Sequence, residues 1–327
     1  MNDARPGPRR AAAVALAAVA VLVLAGCNDD AEPQQGSRPV EPSPSATTTA
    51  GASASATQGS PGASGSATGA PRIELLGAGS GPKRRLTLDL EEGHRETSSM
   101  RLVMRMELGP SGSVEVPYSM PLATTVTEAS DEGYAVTSVV GKPVVDAAKI
   151  AGGLGPTLQQ TLALIEGTSM HVGFGPNGAV TSSTVEVPDG VPDVVARMMD
   201  SFSSQANGLA VPFPDEEVGV GARWRTVSTV RLSGTTVTVS ATYRLTELRD
   251  DGYALTLAIA QRTHPGAVAG GASIVKGSST GTGTITGRDG FVMPVEAVSD
   301  VDGSSVVEVG GQKVRTAFGA RMDLTTR

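Results

Sequence analysis

The chain has 327 residues, 39% of them apolar and only 3% aromatic, so a core must be built from Val, Leu, Ala, Ile and Met. That length suits one large domain or two small ones. The formal net charge of −7 disfavours nucleic acid and anionic headgroups as partners, and a single cysteine excludes an intramolecular disulfide.

In chain order, Arg5, Arg9 and Arg10 precede an uninterrupted apolar run from Ala11 to Leu24. The run is too short for a stable transmembrane helix and has the length of a signal-peptide core. Leu24-Ala25-Gly26-Cys27 closes it and resembles the lipobox of bacterial lipoproteins. The resemblance implies cleavage before Cys27 and a diacylglycerol thioether on its sulfur. The mature protein is then expected at the extracytoplasmic face of the cell membrane, held by two acyl chains, which make such an attachment durable. Residues 1–26 are read as the signal peptide.

Residues 27–72 are read as the lipidated cysteine and a Ser/Ala/Thr/Gly/Pro tether, too poor in apolar surface to offset its conformational entropy. Residues 73–327 are read as one β-rich extracytoplasmic domain. Segments such as Leu86 to Leu90, Leu102 to Leu108 and Val227 to Leu245 alternate apolar and polar residues with the period of two that half-buried strands require. Asn177-Gly178, Asp251-Gly252, Asp289-Gly290 and Asp302-Gly303 supply turn residues that tolerate positive φ. Two stretches carry helical spacing instead. Around Pro156, Leu154, Leu158, Leu162 and Ile165 share a face; in 192–206, Val194, Val195, Met198, Met199 and Phe202 form a second stripe. A short helical turn is also expected within 144–153.

An internal repeat organises these elements. Thr127 to Thr137 recurs as Thr246 to Thr256, with seven of eleven positions identical. Each copy reads as a strand, a tight acidic-Gly turn and a strand opened by tyrosine. The expected fold is mainly β with a few helices (α+β). It is a large curved antiparallel sheet or half-barrel of about ten strands, given the turn spacing. The strands form two pseudo-repeated meanders, with two helical segments packed on them.

No catalytic constellation is visible, so the domain is read as non-enzymatic and free of cofactor and metal. His94, His171 and His264 lie far apart with no neighbouring ligand, whereas zinc needs about four. Gly277-Ser278-Ser279-Thr280-Gly281 spells a nucleophile elbow but sits in Gly/Thr-rich strand sequence with no later histidine. Gly173 to Gly178 spells a dinucleotide loop but is followed by a strand, where that loop must open a helix. Asp300-Val301-Asp302-Gly303 starts like a calcium loop but has Gly311 where the twelfth-position glutamate belongs, and reads as a turn. Lys83-Arg84-Arg85 reads as a solvated strand edge.

Pro214-Asp215-Glu216-Glu217-Val218-Gly219-Val220-Gly221-Ala222-Arg223-Trp224 resembles the Pro-Asp-Glu-x-Val-x-x-Gly-x-x-Trp segment of an uncharacterised actinobacterial lipoprotein family. The resemblance runs from Leu86 to the C-terminus and implies no activity. More distantly, lipobox, tether and helices across a curved sheet are similar to the lipoprotein- and glycolipid-carrier (LolA/LppX-like) folds. That likeness transfers no binding residue. The helical stripes themselves, Leu154, Leu158 and Leu162 with Val195, Met198, Met199 and Phe202, either fill the core or line a cavity for an acyl chain, to which unbranched methionines adapt well. The alternative is a solid core that binds an envelope protein or wall polymer through strand edges or loops.

Overall fold

The computed structural model describes residues 71–107, 112–150, 153–192, 211–232, 235–268 and 272–327. Cys27, the tether and the second helical stretch with Val195, Met198, Met199 and Phe202 lie outside the described residues.

The first half contains β1 (Arg72–Gly77), β2 (Ser80–Arg84), β3 (Arg95–Glu107), β4 (Ser113–Ser130), β5 (Gly133–Val140), β6 (Val144–Val145), β7 (Ser169–Phe174) and β8 (Val180–Glu186). The second contains β9 (Val218–Val220), β10 (Arg223–Leu232), β11 (Thr235–Arg249), β12 (Gly252–Thr263), β13 (Gly266–Val268), β14 (Ala272–Arg288), β15 (Glu296–Val309) and β16 (Gln312–Thr326). Fourteen strands form one sheet with the path β1-β10-β11-β12-β14-β15-β16-β3-β4-β5-β7-β8, β13 pairing with β14 and β6 with β4. A second sheet holds only β2 and β9. The expectation of about ten strands was too low. Gly/Ser/Thr-rich stretches such as β14 carry little apolar alternation, yet the ladder hydrogen bonds of two neighbours hold them as strands.

Of the two expected helical segments, the first falls among the described residues. The described residues hold one α-helix, α1 (Gly155–Ala163), and a 3₁₀ turn at Ala147–Lys149. The short turn expected within 144–153 is this 3₁₀ turn, and the segment opens as β6 before it. α1 fills the crossover between β5 and β7, which are neighbours in the sheet. Its Gln159 side chain accepts from Val145 N–H (2.8 Å) and donates to Pro143 O (2.9 Å), pinning the helix to β6. Gly155 lies so close to Ala147 that a Cβ there would stand 2.6 Å from the Ala147 Cβ.

The repeated segments adopt matching geometry. Both strand pairs carry a bulge at the repeat's first threonine, between Val126 and Glu128 and between Leu245 and Glu247. In each bulge that threonine hydroxyl donates across the hairpin, Thr127 to Ala135 O (3.1 Å) and Thr246 to Ala254 O (3.0 Å). The repeat glycines touch the third strand of their own meander. A Cβ on Gly133 would fall on the Phe174 carbonyl, and one on Gly252 on the Gly287 carbonyl. The equivalence extends upstream. Gly93 and His94 bracket Val126 by the same two backbone bonds with which Gly221 and Ala222 bracket Leu245. Arg95 and Glu96 therefore correspond to Arg223 and Trp224.

Two further expectations are corrected. Leu86 to Leu90 keeps its alternating burial but is not a strand. Asp89 has φ +48°, which breaks the extended run. The segment threads between two turns instead, Leu88 N–H donating to Pro176 O and Leu88 O accepting from Gly290 N–H. Asp302-Gly303 is not a turn either, because it lies inside β15. Gly303 pairs with Phe318, and a Cβ there would strike the Phe318 ring, so the glycine makes room for an aromatic cross-strand neighbour. The β15–β16 turn is made by Gly310 and Gly311, at φ +58° and +81°.

Candidate functional site

Strand alternation divides the large sheet into two unlike faces. The core-facing side carries the fully buried Met100, Met120, Leu122, Val126, Leu245, Leu255 and Leu324. Tracing each strand away from that core in steps of two keeps the face apolar while burial falls. On β3 it continues as Leu102, Met104 and Met106, on β4 as Tyr118 and Val116, and on β12 as Leu257 and Ile259, all half-buried. On β16 it continues as Met322 and Ala320 and ends at Phe318, 40% exposed. On β14 the same face presents Gly277, Ser279, Gly281 and Gly283, so a strip of backbone separates the apolar side chains of β12 and β15. The opposite face is Thr-rich and charged, as Arg225–Glu74 (2.6 Å), Arg105–Asp300 (3.5 Å) and Arg321–Asp323 (3.2 Å) show.

Two side chains in equivalent positions hold the closed end of the core. Trp224 is 0% exposed, donates its Nε1–H to Pro212 O (2.9 Å) and stacks on Tyr243 at 5.5 Å and 16°. Burial pushes the Tyr243 hydroxyl up to about 12, and the Tyr253 hydroxyl rises for the same reason. Glu96 stands where Trp224 stands in the second half. Its carboxylate accepts Val292 N–H (2.6 Å) and Met293 N–H (3.1 Å), which clamps the β14–β15 connection onto β3. Burial raises the Glu96 pKa, and the two backbone bonds and nearby His94 only partly oppose it. His94 Nε2 lies 3.3 Å from Glu96 Oε1 without hydrogen-bond alignment, and its ring meets the edge of Phe291. Composition and period alone missed Glu96. The recurrence of Gly-x-Arg at Gly93 and Gly221, one residue before Glu96 and Trp224, was the signal that could have found it.

Of the proposed pocket residues, Leu162 is buried and Leu158 packs against the core from a half-buried position, joined by buried Ile165. Leu154 precedes the helix and is 58% exposed, so it leaves the stripe. The helix turns its apolar side into the edge of the core near β6 and does not lie across the sheet face.

The chemical motifs dissolve into structure. Ser279 is buried in β14 and donates to Gln261 Oε1 (2.9 Å), with no strand-to-helix turn about it. Gly175 to Gly178 forms the β7–β8 hairpin turn. His171 bonds Thr137 and His264 bonds Thr238, each as a cross-strand polar contact. Among the described residues no group of three or more His, Cys, Asp or Glu could hold a metal ion, and no helix is long and apolar enough to cross a membrane. Arg84 is not a solvated edge charge. It pairs with Asp289 (2.9 Å) and reaches the carbonyls of Arg249 and Gly252, tying the β11–β12 turn to the β14–β15 connection.

No known family profile matches the chain, and no curated protein does. Among solved structures, a mutant of the Rh. blastica porin aligns at 9% identity and TM-score 0.23, over 70% of this chain and 99% of that one. OccAB2 of Acinetobacter baumannii aligns at 6% identity and TM-score 0.18, over 74% and 99%. At those scores the likeness carries no argument about fold or activity.

Proposed function

We propose that the protein is a membrane-anchored extracytoplasmic lipoprotein that binds a lipid-like apolar ligand on the core-facing side of its sheet. The supporting observation is the apolar surface that outruns the core: Leu102, Met104, Met106, Val116, Tyr118 and Phe318 face the same way as the buried residues yet retain exposure. Exposed apolar area of this kind on a folded domain marks a binding surface, and methionines adapt to flexible acyl chains. The half-barrel expected from the sequence would make this side concave, and the lipid on Cys27 would keep the domain within reach of a membrane source of ligand.

Native mass spectrometry of the purified protein is expected to find co-purified lipid, displaced by a fluorescent fatty acid. Met104→Glu at a half-buried position and Phe318→Glu at an exposed one are expected to abolish fatty-acid binding while melting as the parent does. An empty protein that binds no fatty acid, or binding unchanged in both variants, would overturn the reading. The alternative, a non-catalytic envelope module that binds a protein or wall polymer, is favoured by a separate feature of the polar face.

A further inference from the structure

Arg223 on β10 and Arg244 on β11 are direct register partners on the polar face. Like charges placed opposite each other on neighbouring strands repel. Both residues are exposed, and among the described residues neither guanidinium has an ion pair or hydrogen bond. Neighbouring Arg225 is paired with Glu74, and the chain has 33 acidic residues against 26 basic ones, so carboxylates are not scarce. The pair is left open in an acidic protein.

The two arginines line one end of an open groove of about 690 Å³ on the sheet face. The strand register lays its floor as two rows. One runs from Arg244 to Thr256 to Thr284, and the other from Thr242 through Ala258 to Thr282 and Asp300. Strands lie about 4.8 Å apart, so the floor from β11 to β15 spans roughly 14 Å. Its chemistry is graded. Arg223, Arg244 and Thr242 stand at one end, Thr256, Thr282 and Thr284 lie along the middle beside Ala258 and Val298, and Asp300, 3.5 Å from Arg105, closes the other end.

We infer that this groove binds an anionic sugar, a polyhydroxylated ring bearing a phosphate or carboxylate. The Arg223–Arg244 pair takes the anion, and Thr242, Thr256, Thr282, Thr284 and Asp300 take the hydroxyls. Guanidinium forks match phosphate and carboxylate oxygens bidentately, and threonine hydroxyls both donate to and accept from sugar hydroxyls. A bound anion also relieves the repulsion that the apposed arginines otherwise carry. The site lies on the face opposite the apolar surface and does not depend on the lipid reading.

The test is calorimetric titration of the purified protein with glucose 6-phosphate, glucuronate, glucose and inorganic phosphate. The two anionic sugars are expected to bind roughly tenfold or more tightly than either glucose or phosphate, and binding should weaken with added salt. Arg223→Gln with Arg244→Gln is expected to remove binding without lowering the melting temperature, because it also removes the like-charge contact. Thr256→Val, on the exposed side of a strand, is expected to weaken sugar phosphate while leaving inorganic phosphate unchanged, and it decides the matter should the double variant not fold. Anionic sugars binding no better than phosphate, or wild-type affinity in the double-arginine or threonine variant, would overturn the inference.

Discussion

Replacing Glu96 tests whether a buried carboxylate, and not only apolar packing, joins the two halves of the domain. Glu96 is 3% exposed and accepts two backbone N–H groups from the β14–β15 connection. Glu96→Ala leaves the buried Val292 donor and the part-buried Met293 donor unsatisfied, at about 1–3 kcal/mol each, with the second at the lower end. A total near 3 kcal/mol corresponds to a melting-temperature loss of about 6–12 °C in a domain of this size. Glu96→Gln keeps one acceptor oxygen and is expected to cost less. The pH dependence separates charge from shape. A carboxyl whose folded pKa is raised takes up a proton on folding, so its contribution is fully present below the ordinary value of 4.5 and is lost as pH rises through the higher folded value. Thermal melts followed by the fluorescence of Trp224, the chain's single tryptophan, should show this decline in the wild type and a flatter profile in Glu96→Gln. An alanine variant within about 2 °C of the parent, where the orphaned donors demand more, would refute the reasoning. So would an unchanged pH slope in the glutamine variant.

Trp224→Phe removes the bond to Pro212 O and part of the stack on Tyr243; circular dichroism melts should show a loss of about 2 kcal/mol. Tyr243 and Tyr253 hold their protons past the ordinary tyrosine range in the folded state. The stability they contribute is present below pH 10 and lost as pH rises through the folded values, so phenolate absorbance at pH 11 should jump when denaturant unfolds the chain. Gly287→Ala would drive a Cβ into the Tyr253 ring and is expected to cost at least 1–3 kcal/mol by overpacking, read from urea midpoints. Cys27→Ser should abolish incorporation of labelled palmitate and release the protein from the membrane fraction; labelling that persists would remove the anchor from the account.

Sequence alone determined the elements whose causes are local. Period-two alternation marked the strands, and the duplicated Thr127 to Thr137 motif marked two equivalent hairpins, because bulge, turn glycine and opening tyrosine are all encoded within eleven residues. Tertiary structure decided whatever depends on a partner distant in the chain. Leu86 to Leu90 has a strand's alternation, but strand identity needs a neighbour to complete the ladder, and this segment meets turns from both halves instead. Asp302-Gly303 has a turn's residue types, but the Phe318 ring fifteen positions away sets what that glycine does. Arg223 and Arg244 look like ordinary surface charges until β10 and β11 pair in register, and Glu96 looks solvated until the connection after β14 closes over it. Periodicity reports which way a side chain points; only the assembled sheet determines what it meets there.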